Sequence, residues 1–210
     1  MSRPGDLHAQ RLQVVCKPCN ETWMSRLQTA AKPLLVALLQ DIWTPLPESS
    51  QAVLSAWAAM FTCVHEFAHP PTATIPVSHR EHLMRTSTVP EGWFVWIGRA
   101  YFGERKHPGN VNHHGILFRN SDDLPVQYSF QSTGFTVGRL LVQTATLTPP
   151  SVDAVRLEKF HQAFDVGRIH PSSGRGITRP ATVFDWAGFY AVSNTLAVSF
   201  GAKAFWVPPS

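Results

Sequence analysis

Hydrophobic side chains recur every three or four residues in the first part of the chain, which is the spacing of amphipathic helices. The first series covers residues 23–38, and Pro33 within it predicts the end of one helix and the start of the next. The second series covers residues 54–64 and predicts a helix over about residues 50–69 that two prolines stop. These patterns predict that the chain begins with helices.

After residue 90 the pattern changes to short runs of aromatic and β-branched residues, separated by Gly, Asn, Pro and Asp, which is typical of a strand meander. Before it, a capping box at Ser78 predicts a short helix over residues 79–85. Beyond it we expect a helix capped by Ser151, a loop over residues 167–180 and a buried final element of either type. The predicted strands cover residues 93–102, 115–119, 126–131 and 136–146.

Helices that precede strands, rather than alternating with them, predict an α+β fold. We expect an N-terminal cysteine knuckle and helices over residues 1–88, followed by a mainly β part, an antiparallel meander, over residues 89–210. The chain length of 210 residues fits one compact domain with a sizeable core.

Composition narrows the class of protein. Charged residues make up 15% of the chain and apolar residues 44%, which excludes an intrinsically disordered chain. No apolar run approaches the roughly 18 residues of a membrane span, and no secretory signal pattern is visible, so the expected location is cytoplasmic, with no membrane partner. The net charge of +4 is compatible with an anionic partner.

The most specific motif is a Cys-x-x-Cys knuckle formed by Cys16 and Cys19. Two thiolates at this spacing can bind one zinc ion at about 2.3 Å each, but structural zinc requires four ligands. A redox pair is the alternative, although thioredoxin-like motifs lie in βαβ units, which this sequence does not predict. The motif therefore predicts half of a zinc site.

The segment CKPCNETWM at residues 16–24, followed by Ala-Ala-Lys-Pro-Leu-Leu, resembles a bacterial and phage group of HNH-endonuclease-like proteins. The resemblance extends faintly to residues 93–98 and 168–171. It implies that an earlier Cys-x-x-Cys completes the zinc site and that an acidic-histidine pair between the knuckles supplies the catalytic histidine. That histidine acts on water while a second divalent cation holds the scissile phosphate. By position, Cys16 and Cys19 match the second knuckle, and Asn20 matches the last residue of the motif.

This sequence departs from the pattern because no cysteine precedes Cys16, and the nearest acidic-histidine pair is Asp6 with His8. We expect an N-terminally truncated relative that lacks the front half of the nuclease site and binds nucleic acid (DNA or RNA) or a protein that handles it. If the chain cuts nucleic acid as a metal-dependent endonuclease, Asn20 and His8 are the expected catalytic residues. Alternatively, the missing ligands come from elsewhere: from His8, Cys63 or His65, or from a second subunit in a homodimer.

A second motif spells H-E-x-x-H with His65, Glu66 and His69. On a helix the two histidines share a face and can bind zinc, while the glutamate acts as general base, so a zinc metallohydrolase is the alternative function. Two prolines follow at once, and the third ligand of metzincins is absent. A core helix with histidines at its C-terminus explains the same residues, and a non-catalytic interaction protein is a third reading.

Four basic residues are candidates for contacts with a nucleic-acid backbone. Lys17 and Arg26 flank the knuckle, whereas Arg175 and Arg179 lie in a Gly-Ser-rich loop whose amides and guanidinium groups suit a phosphate. A solvated helix face and an exposed loop are the alternatives.

Overall fold

The computed structural model describes residues 14–68, 70–103, 110–118, 128–148, 157, 160 and 163–199. Helical segments come first, a sheet follows, and a further helix ends the described chain. The helices are α1 (Lys17–Cys19), α2 (Ser25–Leu39), α3 (Glu48–His65), α4 (Val77–Thr86) and α5 (Trp186–Ser199), with a π-helical turn at Asn20–Met24 and 3-10 turns at Glu66–Ala68 and Pro70–Thr72. The strands are β1 (Trp93–Ala100), β2 (Asn110–Phe118), β3 (Tyr128–Val137), β4 (Leu140–Thr148), β5 (Gly167–His170) and β6 (Val183–Phe184).

Within the described residues the strands form one sheet in the order β2-β3-β4-β1-β5, and all of these neighbours are antiparallel. The short strand β6 pairs with β1 in parallel. β2, β3 and β4 follow one another as a meander, and β1 closes on β4 rather than on β2. The predicted α+β class with an antiparallel β-meander is confirmed.

Helix α2 continues through Pro33, although the sequence predicted a break there. Proline inside a helix removes one backbone hydrogen bond and costs about 3 kcal/mol. On either side of Pro33, Ala31 and Leu38 are buried, and Leu34 and Leu35 pack against the core between α2, α3 and the sheet. Burial of the apolar face of α2 offsets the cost of the proline, which the periodicity of the sequence does not reveal.

Helix α3 lies between the sheet and α2, the helix that follows the knuckle. Three alanines on its inner side are almost completely buried, which permits close packing of its neighbours, and Leu54 joins the same core as Val95 and Ile97 of β1. The helix begins after Pro47, which provides no side-chain cap, and it ends at His65. The α-helix is therefore shorter at its C-terminus than the predicted one, and His69 lies outside the described residues.

Both faces of the sheet are covered. Trp93 and Trp96 lie at an odd spacing on β1, and both are buried: Trp93 packs with α3 and α4, and Trp96 packs with Phe160 at a ring-centroid distance of 4.9 Å. On the Trp96 side, α5 lies so close to β3 that a Cβ at Gly134 would approach the Cβ of Ser193 to 2.5 Å. The final element is thus a helix that shields the second face of the sheet.

The segment predicted as a loop after residue 167 contributes an edge strand. β5 pairs with β1 beside a bulge at Val95 and Trp96, and Ile177 pairs with Leu46 in an isolated bridge. The buried side-chain amide of Gln51 donates to the carbonyls of Leu46 and Arg175. These contacts fix His170 and the following loop against the start of α3.

Candidate functional site

The cysteine knuckle lies at the start of the described chain and opens the first helix. Cys16 is the N-cap of α1, and its Sγ accepts a hydrogen bond from the backbone N–H of Cys19 at 3.4 Å. The N–H of Asn20 donates to the carbonyl of Cys16 at 3.1 Å, so the turn runs directly into the helix. Cys16 is exposed, Cys19 is half-buried, and both are free thiols. The two sulfur atoms are therefore on one accessible turn.

The two thiols also interact with each other. Hydrogen bonding from the Cys19 side chain, and then from its backbone, lowers the pKa of Cys16 below its ordinary value, whereas the same side-chain pairing raises the pKa of Cys19. One sulfur is thus favoured as thiolate while its neighbour keeps the shared proton. A metal ion placed between them would replace that proton, since the thiolate is the form of cysteine that binds metal.

The donor set fits part of a zinc site. Zinc is bound by thiolate sulfur in tetrahedral sites, and Cys16 and Cys19 supply two of the four positions. Among the residues that the structure describes, no group of three or more histidine, cysteine or acidic side chains is close enough to hold a metal. Cys63 and His65, which the sequence offered as further ligands, do not join the pair, and His8 lies outside the described residues.

A cavity of about 380 Å³ lies behind the knuckle, between α1, the π-helical turn, α3 and α4. Its walls are mainly apolar, and they contain every cysteine and every methionine of the described residues. Cys63 is buried among them, and burial raises the pKa of its thiol to about 12. Cys63 therefore forms part of the cavity wall as a neutral thiol. Cys16, in contrast, is exposed at the cavity mouth, and its pKa is lowered. The sulfur-bearing residues are Cys16, Cys19, Met24, Met60, Cys63 and Met84.

Glu66, the predicted general base of the H-E-x-x-H motif, is fully buried and occupied by structural hydrogen bonds. Arg80 donates to its Oε1 through Nε at 3.1 Å and Nη2 at 2.5 Å, and the backbone N–H groups of Thr74 and Ile75 donate to Oε2 at 3.1 and 3.2 Å. A carboxylate that accepts four hydrogen bonds has little remaining capacity to activate a water. The geometry gives Glu66 the role of joining the end of α3 to α4.

Of the two histidines in this motif, only His65 belongs to the described residues. His65 is the last residue of α3, its ring stacks on that of Phe61 at 5.7 Å, and burial lowers its pKa. Because the backbone after His65 is a 3-10 turn, the helical face on which the motif depends is not continued. His69 lies outside the described residues, so its pairing with His65 stays a prediction.

Arg26, one of the predicted nucleic-acid contacts, lines the same groove as His170, a groove of about 390 Å³ between α2, α3 and the end of β5. The groove also contains Ser87 and Thr88 of the turn after α4. Burial, and to a smaller extent the charge of Arg168, lowers the pKa of His170 to about 4, so this imidazole is neutral at pH 7. We name this surface, formed by Arg26, Ser87, Thr88 and His170, the basic groove.

The other three predicted nucleic-acid contacts do not line the basic groove. Lys17 is exposed and lies 3.8 Å from Glu21. Arg175 is exposed, and its carbonyl accepts from Gln51, so its backbone is fixed near the start of α3. Arg179 has a structural role, since it donates to the largely buried carboxylate of Asp41, whose side chain is 12% exposed, at 2.7 Å.

Asn20, the predicted last residue of the nuclease motif, is exposed on the first turn of the π-helical segment. His8 lies outside the described residues, so no catalytic arrangement with Asn20 is defined. Sequence reasoning did not predict that Arg26 and His170 line the same groove, because the two residues are far apart in the chain. The only signal was the basic stretch around Arg168 and His170.

Comparison with known proteins gave no assignment: no family model, no curated protein and no solved structure matches this chain. None of the helices in the described residues has the length and apolar character needed to cross a membrane.

Proposed function

We propose that this chain is an HNH-nuclease-related protein that binds nucleic acid, with Cys16 and Cys19 as one half of a structural zinc site. The observation that carries the proposal is the position of Arg26. It lies on the helix that follows the knuckle, and it lines the basic groove together with His170. The knuckle orients the start of that helix, and the groove on the same helix presents the cation.

The groove is lined mainly by apolar side chains, but it also holds three groups of the kind that bind a phosphate backbone. Phosphate oxygens in protein–nucleic acid complexes accept hydrogen bonds from Arg and Lys, from hydroxyl side chains and from backbone N–H groups. Arg26 supplies the cation, and Ser87 and Thr88 supply hydroxyl groups in the same groove. The exposed Arg175 extends from a loop that is anchored beside it. The groove binds the backbone rather than base edges, so we expect little sequence specificity.

Binding by this chain does not require catalysis. In the proposed function, zinc at the knuckle is structural, and cleavage requires in addition Asn20, His8 and a second divalent cation. The alternative of a zinc metallohydrolase is less well supported, because Arg80 and two backbone amides occupy the carboxylate of its proposed base, Glu66.

A gel-shift titration with single- and double-stranded DNA and RNA at several salt concentrations tests the binding. We expect affinity to fall steeply as salt rises, and the Arg26→Ala variant to bind more weakly with a salt slope reduced by about one. Arg139→Ala is the matched control, because Arg139 is an exposed arginine in the β3–β4 turn that packs on Tyr101 and does not line the groove. Equal losses in both variants, or no binding at low salt, contradict the proposal.

A further inference from the structure

Exposed apolar residues surround the knuckle. Val14, Val77 and Met84 have 41%, 63% and 41% of their surface exposed, and all three line the same cavity as Cys16 and Cys19. Large hydrophobic side chains clustered on a surface are typical of a contact site for another protein. We call the surface formed by these five residues the knuckle face. Within the described residues it combines two of the four ligands of a zinc site with an exposed apolar surface.

We propose that a second copy of this chain docks on the knuckle face and that the two copies share one zinc ion, with Cys16 and Cys19 of each copy as its four ligands. The inference rests on the proposed zinc site and names what completes it. A twofold axis through the metal places the same residues on both sides, as in an isologous dimer. Each copy contributes two thiolates, which together make the tetrahedral Cys₄ set that structural zinc prefers.

Charge at the knuckle suits this arrangement. Four thiolates around one Zn²⁺ carry a net charge of −2, which is costly at an apolar contact unless cations lie nearby. Lys17 lies between the two ligands in the sequence, and its side chain is 82% exposed. In each copy the ammonium group lies 3.8 Å from the carboxylate of Glu21, whose side chain is 60% exposed. Exposed pairs of this kind are weak, so Lys17 of each copy can turn towards the metal. Arg80 also lines the cavity, but its guanidinium group is bound to Glu66.

The described part of a single chain offers no equivalent completion. Cys63 is the nearest candidate by sequence, yet it is buried in the cavity wall and does not group with the knuckle cysteines. The thiol of Cys16, in contrast, is exposed at the cavity mouth, where a second knuckle can approach it.

The experiment measures mass by size-exclusion chromatography with multi-angle light scattering, and metal by elemental analysis, on the full chain with zinc and with a chelator. We expect a dimer containing half an equivalent of zinc per chain, and a monomer after zinc removal. Val77→Glu should weaken the dimer at least tenfold without loss of the fold, because an acidic residue in the first turn of α4 favours the helix dipole. Val36→Glu is the matched control, since Val36 is 48% exposed on α2 and lies outside the cavity.

Each other outcome overturns the inference in a recognisable way. A monomer with one zinc per chain that Cys16→Ser abolishes shows that ligands from the same chain complete the site, so the dimer is wrong and the zinc knuckle stands. A chain that circular dichroism shows to be folded, but that binds no zinc, contradicts both the dimer and the zinc knuckle. A dimer that persists unchanged without zinc shows that the two copies do not depend on a shared ion, and equal weakening by both valine variants places the contact elsewhere on the molecule.

Discussion

Arg80 of α4 binds the buried carboxylate of Glu66 through two guanidinium nitrogens and also donates to the carbonyl of Ile75 at 2.7 Å. Its guanidinium carbon lies 4.9 Å from the ring centre of Phe67. One arginine therefore joins the end of α3, the segment that follows it and α4. The knuckle cavity lies between these same helices, so this ion pair shapes the wall against which the knuckle packs.

Replacing Glu66 should affect stability strongly. Glu66→Ala removes the acceptor of Arg80 and of two backbone amides, and the loss of one partner from a buried ion pair costs about 3 kcal/mol or more. The free energy of unfolding, from urea denaturation followed by tryptophan fluorescence, measures this. Glu91→Ala, at an exposed site, is the control and should change stability by less than about 0.5 kcal/mol. A stable Glu66→Ala protein would contradict the structural role.

Asp41 should make the free energy of unfolding depend on pH in the acidic range. Hydrogen bonding from Arg99, and to a smaller extent from Arg179 and Trp43, holds the pKa of Asp41 well below its usual range. Because the pKa is lower in the folded state, the stabilisation is fully present above the unfolded-state pKa of about 3.9, and it is lost progressively as pH falls from there through the lowered folded-state pKa. Asp41→Asn should lower the free energy of unfolding by about 2–3 kcal/mol at pH 7 and by less at pH 2, because the folded-state carboxylate takes up its proton only well below a pH of about 3.9.

The asparagine is a suitable substitution, because Asp41 has a positive φ of 61° and asparagine tolerates this conformation. Arg179→Ala, which removes the more exposed arginine, should cost less than about 1 kcal/mol. An equal effect of Asp41→Asn at both pH values would show that the carboxylate charge contributes nothing.

His170 should titrate at unusually low pH. Burial is the larger cause of its lowered pKa of about 4, and the charge of Arg168 is the smaller one. Arg168→Met should therefore raise the pKa of His170 while leaving it below the ordinary value of about 6.5. The pH dependence of the ring-proton resonances in NMR spectra measures the pKa of His170 in the wild-type protein and in the variant. A pKa that reaches 6.5 in the variant would mean that charge, not burial, causes the shift.

The sign of this effect predicts how His170 influences folding. Because its pKa is lower in the folded state, the unfolded chain takes up the proton first, so stability falls as pH decreases from about 6.5 towards 4. His170→Gln should remove this part of the pH dependence. An unchanged stability profile between those pH values would contradict the burial of a neutral imidazole.

The three cysteines should react at different rates with iodoacetamide in the metal-free, chelator-treated protein. Cys16 is exposed and has a lowered pKa, Cys19 has a raised pKa, and the pKa of the buried Cys63 is raised to about 12. Since the thiolate is the nucleophile, Cys16 should be modified first and Cys63 only after unfolding. Peptide mass spectrometry of timed samples measures the order, and modification of Cys63 as fast as Cys16 contradicts it.

The elements with clear periodicity could be predicted from the sequence, whereas their ends and partners could not. The α+β order followed from the change of hydrophobic period near residue 90. Pro33 misled because the sequence does not show how much of α2 is buried. β5 was missed because an edge strand of four residues has too few positions to show a pattern.

The candidate site divides in the same way. The closeness of Cys16 and Cys19 could be predicted, since a Cys-x-x-Cys turn fixes it locally. The occupation of Glu66 by Arg80 could not, because it depends on how α4 returns to the end of α3. The shared groove of Arg26 and His170 could not be predicted either, because it depends on the position of β5 at the edge of the sheet.

The central claim is that Cys16 and Cys19 hold zinc, and the zinc content of the purified protein and its variants tests it most directly. Elemental analysis after dialysis against metal-free buffer should find zinc in the wild-type chain, none in Cys16→Ser, and the wild-type amount in His65→Ala. Zinc that is retained by folded Cys16→Ser, or lost from folded His65→Ala, would contradict the account.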